Sequence, residues 1–149
     1  MSTRGLYTFK ANPTTAGEMD WNIYKHSDNY PTGAADAILN AFRYAWELPR
    51  YESDEFSAAF IAANKIDAGG VKLMPQGKPL SVASKHCSYI EYRYEIYLRG
   101  AACLYVRCYD VSIIPYGSNK NKKPSEILLF DVSIDDLKSA AKGMESRGW

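Results

Sequence analysis

Histidine and cysteine are scarce in this chain, with two His and three Cys (Cys87, Cys103 and Cys108) in 149 residues. The cysteines form no C-x-x-C pair and stand at no His/Cys spacing suited to zinc, so no metal ligand is assigned. An odd thiol count fits a reducing compartment better than a disulfide framework. Neither sign of charge dominates: 18 Lys and Arg against 17 Asp and Glu leave +1. That balance argues against a strongly basic nucleic-acid binder and equally against an acidic nucleic-acid mimic. No apolar run approaches the ~18 residues that a membrane span needs, and Met-Ser-Thr-Arg-Gly opens no signal core. The expectation is a soluble cytoplasmic protein with no membrane attachment. No P-loop, dinucleotide fingerprint, G-x-S-x-G or H-E-x-x-H occurs, so no cofactor is expected. His86 and Cys87 are adjacent, so in extended chain their side chains diverge, whereas a nucleophile and its base must converge.

What is plentiful is tyrosine, with 12 residues against 5 Phe and 3 Trp. A ring that is apolar on its faces and polar at its tip suits half-buried sheets and interfaces.

The periodicities give a single α+β domain over residues 1–149. Gly5–Lys10 and Asp20–Tyr24 alternate apolar and polar positions and read as a hairpin. Pro31-Thr32-Gly33 opens a helix with Thr32 as N-cap, and Ala35, Ile38, Leu39, Phe42, Ala45 and Trp46 form its apolar stripe up to Pro49. Ser53 is placed as cap of a second helix, with Asp54 and Glu55 at its positive end and Phe56, Ala59, Phe60 and Ala63 inward. Pro75, Gly77 and Pro79 leave only a short strand between Val71 and Ser88. Tyr89–Leu98 and the strand after it carry the clearest alternation. A three-residue turn at Arg99-Gly100-Ala101, with Gly100 at positive φ, sets Leu104 and Val106 beside Ile96 and Tyr94. The opposite face then holds Arg93, Tyr105, Arg107 and Tyr109, with Arg93 expected across from Arg107. A polar loop carries Lys120, Lys122 and Lys123. Glu126–Val132 reads as an interior strand from its near-continuous apolar run. Ser133 and Asp136 resemble a capping box, and a final helix turns Ile134, Leu137, Ala141 and Met144 inward. The order β-β-α-α-(β)-β-β-β-α predicts an antiparallel sheet of five to six strands with three helices.

Polar chemistry concentrates between Tyr24 and Gly33. In extended chain His26 and Asp28 project to one side, near enough for the carboxylate to orient the imidazole for proton transfer. The structural alternative is an Asx turn at Asp28 and Asn29, with Tyr30 packed and Pro31 setting the helix start.

The stretch Thr3-Arg4-Gly5-Leu6-Tyr7-Thr8-Phe9, followed by Tyr24-Lys25-His26-Ser27-Asp28-Asn29-Tyr30-Pro31-Thr32-Gly33, resembles a group of small bacteriophage and bacterial proteins with no assigned activity. These open with T-R-G-x-Y-x-F and continue with Y-x-H-x-D-x-Y-P-x-G; Leu48–Phe56 and Ala62–Lys65 are similar to their continuation. The resemblance covers roughly the first 70 residues. It implies a phage or prophage setting, not a mechanism, and raises Arg4, His26, Asp28 and Tyr30 as candidates.

Two functional expectations follow. The first is an interaction protein that binds and inhibits or redirects a host macromolecule, a protein or protein complex sooner than nucleic acid, in the manner of inhibitors of bacterial immune systems. Its candidate contacts are Arg4, Tyr24, Asn29, Tyr30, Arg93, Tyr105, Arg107 and Tyr109. The second is a small hydrolase or nucleotide-acting enzyme in which Arg4 holds an anion while His26 and Asp28 transfer protons.

Overall fold

The computed structural model describes residues 3–65, 70–74, 90–100, 103–111 and 126–146. His86, Cys87 and the lysines at 120, 122 and 123 lie outside them. The described residues form one mixed α+β unit of six strands and three helices. β1 (Arg4–Phe9) and β2 (Trp21–Lys25) pair antiparallel with Tyr7 opposite Ile23, as the alternation of both segments requires. β3 (Val71–Leu73) continues on β2, and β4 (Ile90–Arg99), β5 (Cys103–Asp110) and β6 (Ile127–Ser133) form the other half. The strand order is β3-β2-β1-β4-β5-β6.

Two expectations about the sheet change. β1 and β4 are parallel, so the sheet is mostly but not wholly antiparallel. The long intervening segment gives the chain room to return in the same direction, which a tight turn cannot do. β6 is an edge strand among the described residues, not an interior one. Its apolar run divides: Phe130 is buried under the helices while Ile127 and Leu128 are exposed.

The helices cover one face. α1 (Pro31–Ala41) has Tyr30 at its N-cap and Pro31 at its first position, so Thr32 lies inside the helix and does not cap it. Proline suits that place because it brings no N–H and its φ is already helical. The helix ends well before Pro49. Phe42 N–H, Arg43 N–H and Tyr44 N–H donate to carbonyls three residues back, tightening the chain out of the α geometry. The expected stripe therefore stops short, and Trp46 is exposed while Ala34, Ala37 and Ala41 join the core. α2 (Ser53–Asn64) starts one residue earlier than Ser53 as cap would require, with Glu52 in that position. Glu18 reaches the helix start and accepts from Ser53 N–H, while Ser53 Oγ donates to Met19 O.

Phe56 and Phe60 of α2 lie against Phe9, with ring centroids 5.6 and 5.2 Å apart, and Phe60 lies 4.6 Å from Tyr7. α3 (Leu137–Ser146) follows a 3-10 turn at Ile134–Asp136 and adds Leu137, Ala141 and Met144 to the same core. Ser133 Oγ sits 3.3 Å from Asp136 Oδ2, a contact between side chains that caps no backbone N–H, so the expected box does not form. A second, smaller apolar group of Leu6, Tyr24, Met74 and Ile90 lies apart from this core. No helix of the described residues is long and apolar enough to cross a membrane.

Candidate binding face

The Tyr24–Gly33 corner is organised by Asn29, which is fully buried. Its Oδ1 accepts from Tyr7 Oη at 2.5 Å, and its Nδ2 donates to Thr3 O, Lys25 O and Ser27 O at 2.8, 2.7 and 3.1 Å. Its main-chain carbonyl accepts from Tyr94 Oη at 2.6 Å, and its N–H donates to Thr3 O. Asn29 was a candidate contact residue. The structure uses it to join the start of β1, the end of β2 and a ring of β4.

Crowding fixes the corner further. A Cβ on Gly5 would come 2.7 Å from Asn29 Cβ, and one on Gly33 would strike the carbonyl oxygen of Asp28. Asp28 itself takes φ 62°, a left-handed conformation that Asp tolerates better than most residues. That kink ends the extended alternation on which the His26–Asp28 pairing depended. No hydrogen bond or ion pair joins the two; the partner of the imidazole is Tyr24, whose Oη lies 2.7 Å from His26 Nδ1. The Asp28 charge acts instead on Lys25, whose ammonium pKa is lowered chiefly by burial and partly restored by that carboxylate. Lys25 Nζ donates to Ser27 O at 2.5 Å.

Arg4 and His26 lie at the same end of β1 and β2, since Gly5 faces Lys25 in the register. Arg4 precedes Leu6 by two residues and His26 follows Tyr24 by two, so alternation sets both on the side away from the helices. Tyr30 is exposed.

The remaining candidates meet on β4, β5 and β6. Arg93 faces Tyr109 and Glu95 faces Arg107, so the expected Arg93–Arg107 juxtaposition does not occur. The parity of the faces is as the alternation requires, and Gly100 has φ 69°. The partners are displaced by two residues, because the turn falls one residue later: Arg99 pairs with Cys103, leaving 100–102 as the connection. Opposite charges directly across a pair of strands are favourable where like charges are not.

Arg93 forms a fork with Glu126, Nε to Oε1 at 2.9 Å and Nη2 to Oε2 at 2.6 Å, and its Nη1 lies 3.3 Å from Glu95. Burial alone would lower the Arg93 pKa, but the Glu126 hydrogen bond and both carboxylate charges outweigh it and raise it. Arg107 Nε donates to Asp131 at 3.2 Å, and Tyr97 Oη donates to the other Asp131 oxygen at 2.6 Å. The guanidinium of Arg93 lies 4.2 Å from the ring centre of Tyr109, that of Arg107 4.1 Å from Tyr97, and that of Arg99 5.0 Å from Tyr105. Tyr97 and Tyr105 stand 5.9 Å apart. The result is a ladder of rings and guanidiniums on the face opposite the helices, with Glu95 between the Arg93–Tyr109 pair and the rest. Burial, followed by the neighbouring carboxylates, raises the pKa values of Tyr97 and Tyr109, so both keep their protons at neutral pH.

Sequence reasoning missed Tyr97, Arg99, Glu126 and Asp131. The alternation that picked out Arg93 also puts Tyr97 on this face, so that one was legible; the β6 carboxylates required knowing which strand lies beside β5. Among the described residues no group of His, Cys, Asp and Glu could hold a metal ion. Comparison with protein families, with curated proteins and with solved structures gives no match to this chain.

Proposed function

We propose that this is an interaction protein, of phage or prophage setting, that binds a host protein or protein complex and inhibits or redirects it. The observation that carries the reading is the ladder of Arg93, Tyr109, Arg107, Tyr97, Tyr105 and Arg99. Tyr and Arg are enriched in binding hot spots: Tyr offers a large contact area with only two χ angles to freeze, and Arg a planar guanidinium that stacks on rings and forms paired hydrogen bonds. Here Arg93 and Arg107 are already braced by Glu126, Glu95 and Asp131, so less ordering of these two is left for the moment of association. The phage setting rests on the resemblance of the first 70 or so residues. A protein partner is favoured over nucleic acid because three carboxylates accompany three arginines on this face, and a phosphate backbone would meet both signs.

The test is affinity capture from host lysate with the wild-type chain and with Tyr97→Ala and Arg107→Ala variants of unchanged circular dichroism. A stoichiometric protein held by the wild type and lost from both variants supports the reading; identical eluates from all three overturn it. The enzymatic alternative keeps one structural support, the Tyr24 hydroxyl that holds the His26 ring. It predicts that His26→Ala abolishes function with the fold intact, whereas the binding reading predicts retention.

A further inference from the structure

We infer that the Arg99–Tyr105 end of this face seats a carboxylate, so that the partner docks there through an acidic segment of a protein chain. This rests on the binding reading above and names the chemistry it selects.

The ladder is unevenly neutralised. At one end Arg93 has both oxygens of Glu126 and a third from Glu95. In the middle, Arg107 has Asp131 on its Nε and Glu95 directly across the strands. At the other end Arg99 is exposed, rests over the Tyr105 ring, and has no carboxylate within ion-pair distance among the described residues. The hydroxyls follow the same gradient. That of Tyr97 is committed to Asp131, and beyond burial the Glu95 charge acts on that of Tyr109 and raises its pKa. The Tyr105 hydroxyl makes no hydrogen bond among the described residues.

A guanidinium with no carboxylate of its own has an N–H edge that matches the two oxygens of an incoming carboxylate. Arg99 supplies such an edge, and Tyr105 adds a phenolic donor beside it. Both stand at the closed end of the β4–β5 hairpin, where the strands fix their separation. A partner bringing one Asp or Glu to this end completes the alternation of charge that the chain itself completes at the Arg93 end. A nucleic-acid strand long enough to cover the ladder would set phosphates against Asp131 and Glu126.

The probes are two synthetic peptides, acetyl-Ala-Phe-Asp-Glu-Phe-Ala-amide and the same peptide with Asn and Gln for Asp and Glu. Each is titrated into the full chain and followed by nuclear magnetic resonance of the backbone amides and the arginine Nε–H groups. The acidic peptide is expected to shift the Arg99 Nε–H and the β4–β5 amides, with about tenfold tighter binding than its neutral counterpart. Arg99→Gln removes that difference while the remaining spectrum stays that of the folded chain, and Tyr105→Phe weakens the acidic peptide several-fold. Equal affinity for both peptides on this face overturns the carboxylate inference and leaves the binding reading standing. If neither peptide shifts any resonance of the face, both fall. Saturable shifts at Arg99 by an oligothymidylate, without any by the acidic peptide, overturn the protein partner in favour of nucleic acid.

Discussion

Replacing Asn29 with alanine should be among the most damaging single changes outside the aromatic core. The side chain accepts one hydrogen bond and makes three donor contacts. The carbonyls of Thr3, Lys25 and Ser27 belong to half-buried residues, so water can replace part of what they lose. Tyr7 is fully buried, and water cannot reach its hydroxyl without opening the core. An unsatisfied buried group costs about 1–3 kcal/mol, and three partly exposed carbonyls together add a similar amount, so Asn29→Ala should lose about 3 kcal/mol. With a urea slope of about 2 kcal/mol per molar, the unfolding midpoint falls by about 1.5 M. The measurement is equilibrium urea unfolding followed by circular dichroism, with Tyr7→Phe and the double variant alongside. Tyr7→Phe alone should cost about 1–2 kcal/mol, because it orphans Asn29 Oδ1. In the alanine background the same change should be neutral or slightly stabilising, since it removes a hydroxyl that has already lost its partner. Strict additivity of the two losses, or a loss below about 1 kcal/mol for Asn29→Ala, would refute the reasoning.

Gly33→Ala should damage the fold more than Gly5→Ala. The added carbon meets a backbone oxygen in the first case and, in the second, the side chain of Asn29, so thermal unfolding should rank them in that order. A double-mutant cycle of Arg93→Gln and Glu126→Gln should give a coupling of about 1–3 kcal/mol, because the fork is bidentate and both side chains are under 20 % exposed. A coupling near zero would mark the pair as an ordinary surface contact. Alkali should unfold the protein through its buried acids. Burial pushes the Cys108 thiol up to about 12 from 9.0, and burial with the Asp110 charge pushes Tyr92 up to about 12 from 10.0. Both groups have raised folded-state pKa values, so their contribution is whole below the unfolded values and falls as pH rises between the two. Each that ionises only on unfolding removes about 1.4 kcal/mol per pH unit. Urea midpoints should therefore be flat from pH 7 to 8.5 and decline above it. Native-state alkylation should label the exposed Cys103 and spare Cys108; a flat alkaline limb would contradict the burial of Cys108.

The alternation of Tyr92, Tyr94 and Ile96 against Arg93, Glu95 and Tyr97 is a local property of the chain, so it could be read without coordinates. It placed Arg93, Tyr105, Arg107 and Tyr109 on one face. The register shift beside Arg4, which leaves Ile90 with Leu6 and Tyr24, lay outside that reading. The step between β4 and β5 could not be read in the same way. Parity survives a displacement of two residues, so burial excludes only the odd registers. The choice among the rest fell to the Glu95–Arg107 pairing. The edge position of β6 was also illegible, because an apolar run such as Ile127–Phe130 has the same composition in the middle of a sheet as at its border. Asn29 shows the opposite limit. Its neighbours in sequence announced a turn, but the hydroxyls it satisfies come from Tyr7 and Tyr94, 22 and 65 residues away.

Those two tyrosines give the corner a physical purpose that its crowding disguised. Tyr7 and Tyr94 face each other across the parallel β1–β4 seam, with their rings stacked 5.1 Å apart. That seam is where the β3-β2-β1 half of the sheet meets the β4-β5-β6 half. Parallel pairing holds strands slightly less well per residue than antiparallel pairing, so a fixation point there counts for more than it would elsewhere. Asn29 provides it, holding one hydroxyl through its side chain and the other through its carbonyl while it closes the ends of β1 and β2. Within the Tyr24–Gly33 stretch, Asn29 thus serves to join two half-sheets. The ladder lies wholly on the far half, held by its own ion pairs, and a small loosening of the seam should leave its geometry in place. Asn29→Ala should accordingly speed amide exchange in β1 and at the start of β4 well before it alters the Arg99 and Arg107 side-chain resonances. Simultaneous change at both places would mean that the face depends on the seam.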